Sequence, residues 1–508
     1  MGEPGRRVSR ERALEELADR RFDLLVVGGG IIGAGIAAHA ARAGLAVALV
    51  DAGDFGGATS SASSKLVHGG LRYLRLGDVR LVREAHHERR ALTRIVAPHL
   101  VRRIPFLLPL YEGGPYRPAF VQSGILLYST IARSRLNWLV GAARARELVP
   151  PLRLDGLRSC ALYADAWTND TRLCLANVRA AADAGATVLN GAEVTGFHSV
   201  HGTITAAEVR VGGADVVVHA RACVNAAGPW VDHVRRLEDP GAGTSVRLSK
   251  GAHVLVRSED GWAAALAVPQ DDVRVTFAVP WYGMLLLGTT DTPWEDDPGE
   301  VRAEPDDVSQ LLDEASVALD PALLAPDRVG AAYAGIRVLP AGDGQSASAR
   351  RETVFSRSRG GMVNVAGGKL TTYRRIALET LDRLRADLGL HGLDRRPWPL
   401  PGATGLEETV LPREVDPDVR VHLLHLYGSL APEVLRPAED DPTLLERLHP
   451  SGPDIAAQVR YAASHEWAST ADDVLRRRTT CFYRGFADGV LEARVDDLLS
   501  SAQREHDG

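Results

Sequence analysis

The stretch Phe22–Asp51, FDLLVVGGGIIGAGIAAHAARAGLAVALVD, changes character three times. FDLLVV (22–27) reads as a buried strand, apolar but for Asp23. GGGIIGAG follows as a turn, IAAHAARAG reads as a helix closed by Gly44, and LAVALVD (45–51) is a second strand. A strand–turn–helix–strand unit of roughly thirty residues is the opening of a dinucleotide-binding fold. Gly28, Gly30 and Gly33 fit G-x-G-x-x-G within it. The first makes the turn, the second lets a pyrophosphate approach the backbone, and the third lets helix and strand pack closely. The helix N-terminus then faces the phosphates. Asp51, at the end of the second strand, suits a ribose hydroxyl.

The same pattern returns later. ARACVNAAGPW (220–230) and GGMVNVAGGKLTTYRRIALETLDRL (360–384) each run from strand through a glycine turn into a helix. The nucleotide domain is therefore discontinuous, and a late return of this kind is expected when a chain wraps a large fixed cofactor, which favours FAD over NAD. Between these pieces, residues 184–220 alternate with period two, and 252–294 contain further strands. RRPWPLPGATG (395–405) reads as a linker, and the remainder is helical and charged. The expected class is α/β: a discontinuous Rossmann-type FAD-binding domain, an antiparallel-sheet substrate domain and a C-terminal helical domain. The expected boundaries are an N-terminal extension over 1–20, FAD-binding segments over 21–105, 161–235 and 331–398, a substrate-domain or membrane-facing segment over 106–160, the antiparallel domain over 236–330, and the helical domain over 399–508. In the extension, residues 9–20 form an amphipathic helix with Ala13, Leu14 and Leu17 on one side.

Composition narrows the function. A net charge of −6 over 508 residues argues against nucleic-acid binding. The four cysteines, Cys160, Cys174, Cys223 and Cys481, are scattered, which suits a reducing cytosol and offers neither a disulfide framework nor a metal site. No apolar run reads as a transmembrane helix, and an N-terminus mixing Arg with acids does not read as a signal peptide. Lys and Arg together number 59, yet only Lys65, Lys250 and Lys369 are lysine. In so Arg-rich a chain, the surviving lysines mark positions where a planar fork cannot replace a compact ammonium.

All three fall in motifs. TSSASSKLVHGGLRYL (59–74), NAAGPW (225–230), KGAH (250–253), GTTD (288–291), YAGIRVL (333–339) and GGKLTTYR (367–374) occur in that order. Together they resemble the FAD-dependent sn-glycerol-3-phosphate dehydrogenase family, one of the D-amino-acid-oxidase-like flavoproteins, over roughly residues 22–490. The long insertion of the related glycerophosphate oxidases is missing, which favours a dehydrogenase. Asn169-Asp170 stands where the family commonly has two acids.

The resemblance implies roles. Thr59, Ser60, Ser61, Ser63 and Ser64 would pass beneath the isoalloxazine and present N–H and hydroxyl donors, with Lys65, His68 and Gly69 supporting the cofactor. Gly228 would lie on its adenosine side, and Gly367, Gly368, Lys369, Leu370 and Thr371 would complete its site. A substrate phosphate carries a charge of about −1.5 to −2. Arg72 and Arg337 would clamp it, with Arg351 as a third cation and Tyr73 and Thr290 as further substrate contacts. Hydride leaves the carbinol carbon while a base takes the hydroxyl proton. Lys369 and His253 are both candidates for that base, and Arg337 is the third catalytic candidate. The family passes its electrons to membrane quinone, so the expected location is cytoplasmic with peripheral attachment to the inner face of the cell membrane. Residues 117–146, apolar and aromatic with interleaved arginines, are the best segment for that contact. A homodimer is a further expectation. Two other readings stand beside this one: an amine or amino-acid oxidase, and a flavin-holding subunit without turnover. In the C-terminal part, Thr470 with Asp473 is a helix-capping pair, in a segment that braces either the flavin domain or a dimer interface.

Overall fold

The computed structural model describes residues 9–69, 79–116, 118–132, 138–258, 261–271, 274–341 and 353–504. Two sheets organise them. The first has eight strands. At its heart five run parallel, in the order Val363–Gly367, Ala214–Asn225, Arg21–Val27, Val47–Asp51 and Thr187–Asn190. Leu24, Val26, Val47 and Leu49 have no exposed surface, as expected of parallel strands covered on both faces. One face packs on the helices Ile31–Arg42, Asp170–Asp183 and Tyr373–Arg383. The other is covered by the N-terminal helix Arg10–Asp19, whose Ala13 and Leu17 are buried, and by strands from 192 to 211.

The second sheet has ten strands and is antiparallel except where Ala265–Pro269 pairs in parallel with Val101–Tyr111. Its long central pairing joins Val246–Arg257 to Val329–Pro340, setting Ser249 opposite Arg337 and His253 opposite Tyr333. Three expected boundaries fall inside its strands. Residue 106 lies within Val101–Tyr111, residue 161 within Leu157–Thr168 and residue 331 within Val329–Pro340, so all three strands join this sheet as wholes.

The part beyond residue 405 is helical, with a core of its own that includes Val419, Leu423, Tyr461 and Val495. Thr470 caps its helix as read from sequence: its hydroxyl accepts from Asp473 N at 3.2 Å, and Asp473 Oδ2 accepts from Thr470 N at 3.0 Å. Among the described residues no helix is long and apolar enough to cross a membrane.

Candidate active site

The parallel strands end at a cavity of about 1580 Å³, the position where α/β sheets hold their ligands. Gly28 turns there with φ +103°, and a Cβ on it would sit 2.6 Å from the Ala226 carbonyl oxygen. Asp51 Oδ2 accepts from Gly29 N at 2.6 Å and Oδ1 from Gly53 N at 2.9 Å, so one carboxylate ties the two loops together. Burial pushes the Asp51 carboxyl up to about 6, against the pull of those two amides. Gly28, Gly30 and Asp51 line the cavity. Gly33 does not; a Cβ on it would collide with the Gly28 carbonyl, which is the packing role.

Thr59, Ser60, Ser61, Ser63 and Ser64 line the next part of the wall. Their hydroxyls correct the expectation of free donors, because most are bonded within the protein. Thr59 Oγ1 donates to the Ile336 carbonyl at 2.8 Å, Ser61 Oγ to the Ala58 carbonyl at 3.1 Å and Ser63 Oγ to Asp170 Oδ2 at 2.7 Å. Ser60 Oγ accepts from Ile31 N at 2.9 Å, at the start of the first helix. These side chains fix the loop's shape, and the loop presents backbone and small surfaces to the cavity.

Lys65 is a second correction. The resemblance places it against the cofactor, but it is fully buried and does not line the cavity; its Nζ reaches Asp170 Oδ1 at 2.7 Å and the Ser61 carbonyl at 2.9 Å. Gly69 also stays out of the wall, donating its N–H to Asp165 Oδ1 at 2.9 Å. His68 lines it. So do Gly228 and the late turn Gly367, Gly368, Lys369, Leu370 and Thr371, with Lys369 preceding the short helix Leu370–Thr372.

The second sheet supplies the opposite wall. His253 is buried, its Nε2 2.9 Å from Ser64 Oγ and its ring stacked on Tyr333 at 4.9 Å. Burial first, then the Arg337 and Lys65 cations, hold the imidazole well below its usual 6.5, so it is neutral. Among the described residues Arg337 is held by four acceptors: the Lys250 carbonyl at 3.3 Å, Asp291 Oδ1 at 3.1 Å, Thr289 Oγ1 at 2.7 Å and the Thr290 carbonyl at 2.9 Å. Its guanidinium lies over Gly251, where any Cβ would strike it. Thr290 is the third correction. It is fully buried and outside the wall, its Oγ1 accepting from Ala252 N at 2.9 Å and donating to Asp307 at 3.2 Å. Arg72, Tyr73 and Arg351 lie outside the described residues.

Four residues that sequence reasoning does not single out complete the site. Asp170 neutralises Lys65, Asp291 anchors Arg337, Tyr333 backs His253, and Tyr483 of the helical domain donates to the Ser61 carbonyl at 3.0 Å. Asp170 is named beside Asn169 in the sequence, Asp291 closes GTTD and Tyr333 opens YAGIRVL; Tyr483 lies outside every quoted stretch.

The cavity fits FAD. Its glycine turn admits backbone where a side chain would clash, an acid stands at the ribose position, and the volume exceeds the 300–1,000 Å³ typical of small-ligand pockets. Comparison with known proteins agrees. Residues 23–374 match the FAD dependent oxidoreductase family, and 392–495 match the C-terminal domain of alpha-glycerophosphate oxidase. Glycerol-3-phosphate dehydrogenase 2 of Mycobacterium tuberculosis is 34% identical, over 92% of this chain and 82% of that one. The mitochondrial glycerol-3-phosphate dehydrogenase of Homo sapiens is 35% identical over 93% and 69%. The crystal structure of the Bacillus halodurans glycerol-3-phosphate dehydrogenase complexed with FAD superposes with a TM-score of 0.77 at 27% identity, covering 98% of this chain and 93% of that one. With both family matches and these relatives spanning most of its length, the chain belongs to the FAD-dependent glycerol-3-phosphate dehydrogenase family.

Proposed function

We propose that the chain oxidises sn-glycerol 3-phosphate to dihydroxyacetone phosphate, the C2 hydride passing to FAD and the electrons onward to a membrane quinone. The observation that carries this reading is one continuous cavity bearing the Gly28 turn and Asp51 as well as His253 and Arg337. The names of the relatives support the substrate. FAD, when bound, supplies the hydride acceptor.

The protein's own groups do the rest. Arg337, fixed by Asp291, Thr289 and the Lys250 and Thr290 carbonyls before substrate arrives, offers an anion an oriented cation with little ordering left to do. Asp291 offsets part of its charge, so the dianion needs further cations, for which Arg72 and Arg351 are the candidates. His253 is our choice for the proton acceptor. Its imidazole is neutral in place and lies on the cavity wall, and the burial and cations that keep it neutral also make it a weak base. Ser64 orients it through Nε2. Lys369, on the cavity wall, then serves the negative charge of substrate or cofactor.

Anaerobic bleaching of the yellow protein by glycerol 3-phosphate, and not by D-alanine, tests the reaction. Bleaching by the amino acid would favour the oxidase reading. His253→Gln should bind substrate and bleach at least about a hundredfold more slowly, the usual scale for general base loss. Lys369→Met should weaken binding more than the reduction rate; the reverse split would exchange the two roles.

A further inference from the structure

The helical domain reaches the cavity at the end marked by Asp51, where Asp54, Asp473 and Arg477 share the wall. Asp54 sits on the bend after the strand Val47–Asp51 and is the meeting point. Its carboxylate takes Arg478 Nη2 at 2.7 Å and Nη1 at 2.5 Å, Arg477 Nε at 2.5 Å and Asn190 Nδ2 at 3.1 Å. Arg478 has no exposed surface, and it also donates to the Glu466 carbonyl through Nε at 3.1 Å and Nη2 at 2.6 Å. Glu466 in turn forks with Arg172 of the nucleotide domain, both bonds at 2.7 Å. Next to it Trp467 stands edge-on to Phe55 with ring centroids 5.5 Å apart.

Asp54 and Phe55 are joined directly to the phosphate turn. The Phe55 ring occupies the space a Gly29 side chain would need, and Gly56 N donates to the Gly29 carbonyl at 3.1 Å. A contact path therefore runs from residues 466–478 through 54–56 to Gly29, in the turn that faces the cofactor phosphates.

We propose that this segment of the C-terminal domain is a cofactor-retention strut: Arg478 and Arg477, acting through Asp54 and Phe55, hold the Gly28–Gly30 turn in its binding shape and so set the affinity for FAD. The inference rests on the assignment of this cavity to FAD. It resolves the two sequence alternatives for the segment in favour of bracing the flavin domain. Without the strut, the 52–57 bend must be ordered each time the cofactor binds, and that ordering appears as lost affinity. Arg477 and Arg478 are positioning residues here, since they act through Asp54.

The test is FAD titration of the full-length deflavinated chain, read by quenching of flavin fluorescence, on wild type, Arg478→Met, Asp54→Asn, the double variant and Arg494→Gln. Arg494 ties the helical domain only to itself, donating to the Arg447 and Leu448 carbonyls. Arg478→Met should raise the FAD dissociation constant about tenfold or more, the scale of losing a buried charged partner. Adding it to Asp54→Asn should change the constant by no more than about twofold, as expected when both act along one path. Arg494→Gln should leave it unchanged. Should Arg478→Met fail to accumulate, Phe55→Leu, which loosens the contact with Gly29 and leaves the cavity wall untouched, reads the same quantity. Wild-type affinity in Arg478→Met or its substitute overturns the strut, as does equal weakening in Arg494→Gln. A wild-type chain that takes up no FAD overturns the cofactor assignment itself, and the strut with it.

Discussion

Lys65 Nζ stands 2.7 Å from Asp170 Oδ1, and neither side chain reaches solvent. The pair lies beneath the serine loop and holds it at two points. Lys65 donates to the Ser61 carbonyl, and Asp170 Oδ2 accepts from the Ser63 amide at 3.1 Å and hydroxyl at 2.7 Å. Burial alone would depress the ammonium, but Asp170 and Tyr483 hold it above its ordinary value. The rings of Trp281, Tyr333 and Tyr483 surround it at 5.0, 5.2 and 4.5 Å. This is why a lysine survives here in an Arg-rich chain: the chamber is shaped for a compact cation.

Lys65→Met should therefore destabilise the holoprotein by about 3–5 kcal/mol, because it leaves Asp170 buried and uncompensated. Lys65→Arg should also destabilise, since a planar fork does not fit among three rings. The double variant Lys65→Met/Asp170→Asn should lose less than the sum of its single losses in denaturant unfolding. Strict additivity would show that the two charges do not depend on one another.

Gly251 is the residue on which Arg337 rests. A Cβ there would strike the guanidinium and come within 2.8 Å of Thr289 Oγ1. Gly251→Ala should push Arg337 off its acceptors while touching nothing at the glycine turn. The expected result is a fall in kcat/KM comparable to that of Arg337→Ala, at least about tenfold, or 1.4 kcal/mol. FAD content, measured by absorbance, should stay at the wild-type level. Full activity in Gly251→Ala would mean the guanidinium position is not important to turnover.

The parts of this site that a local pattern encodes are legible in the sequence. The glycine turn, Asp51, the alternation over 184–220 in the first sheet and the strands over 252–294 in the second are set by residues within a strand and a loop of each other. The partners that fix the functional side chains are not legible in that way. Asp170 is 105 residues from Lys65 and Arg478 is 424 residues from Asp54, separations at which no periodicity or spacing survives. Lys65 shows the limit well. Its rarity marks it as special, but the marking does not tell a cofactor contact from a buried ion pair, because both require a compact cation in a closed space. Thr290 misleads for a related reason: a strand-end threonine has one hydroxyl, and the backbone of Ala252 together with Asp307 occupies it.

Asp51 makes the cofactor site sensitive to pH. Its folded-state carboxyl is raised to about 6 from an ordinary 3.8. Burial is the main cause, with the Gly29 and Gly53 amides opposing it and Asp54 adding to it. For a raised carboxyl the sign is unfavourable to the apoprotein: this group's contribution to stability is greatest below the unfolded value and is lost as pH rises through about 6. Cofactor binding runs the other way, because a ribose hydroxyl donates best to the ionised carboxylate. The FAD dissociation constant should rise as pH falls below about 6 in the wild type. Asp51→Asn should bind more weakly and show no inflection there. An identical pH profile in the two proteins would remove Asp51 from the cofactor site.

Helix Pro118–Ala132 is the place to look for membrane contact. Val121, Ile125 and Tyr128 are buried against the second sheet, while Leu126 is 64% exposed. Trp138, on the neighbouring strand Trp138–Val140, is 44% exposed. Both stand on the outward side of elements whose inner side is already satisfied. Burying an exposed leucine in lipid is worth about 1.5–3 kcal/mol, and a tryptophan adds an interfacial anchor. Leu126→Gln/Trp138→Gln should therefore reduce co-flotation with anionic lipid vesicles by about tenfold or more. The same variant should still bleach anaerobically with glycerol 3-phosphate at the wild-type rate, because neither residue lines the cavity. If the variant floats as the wild type does, another surface docks. If bleaching is lost together with flotation, the helix shapes the catalytic cavity and its exposed side chains are not a separate membrane contact.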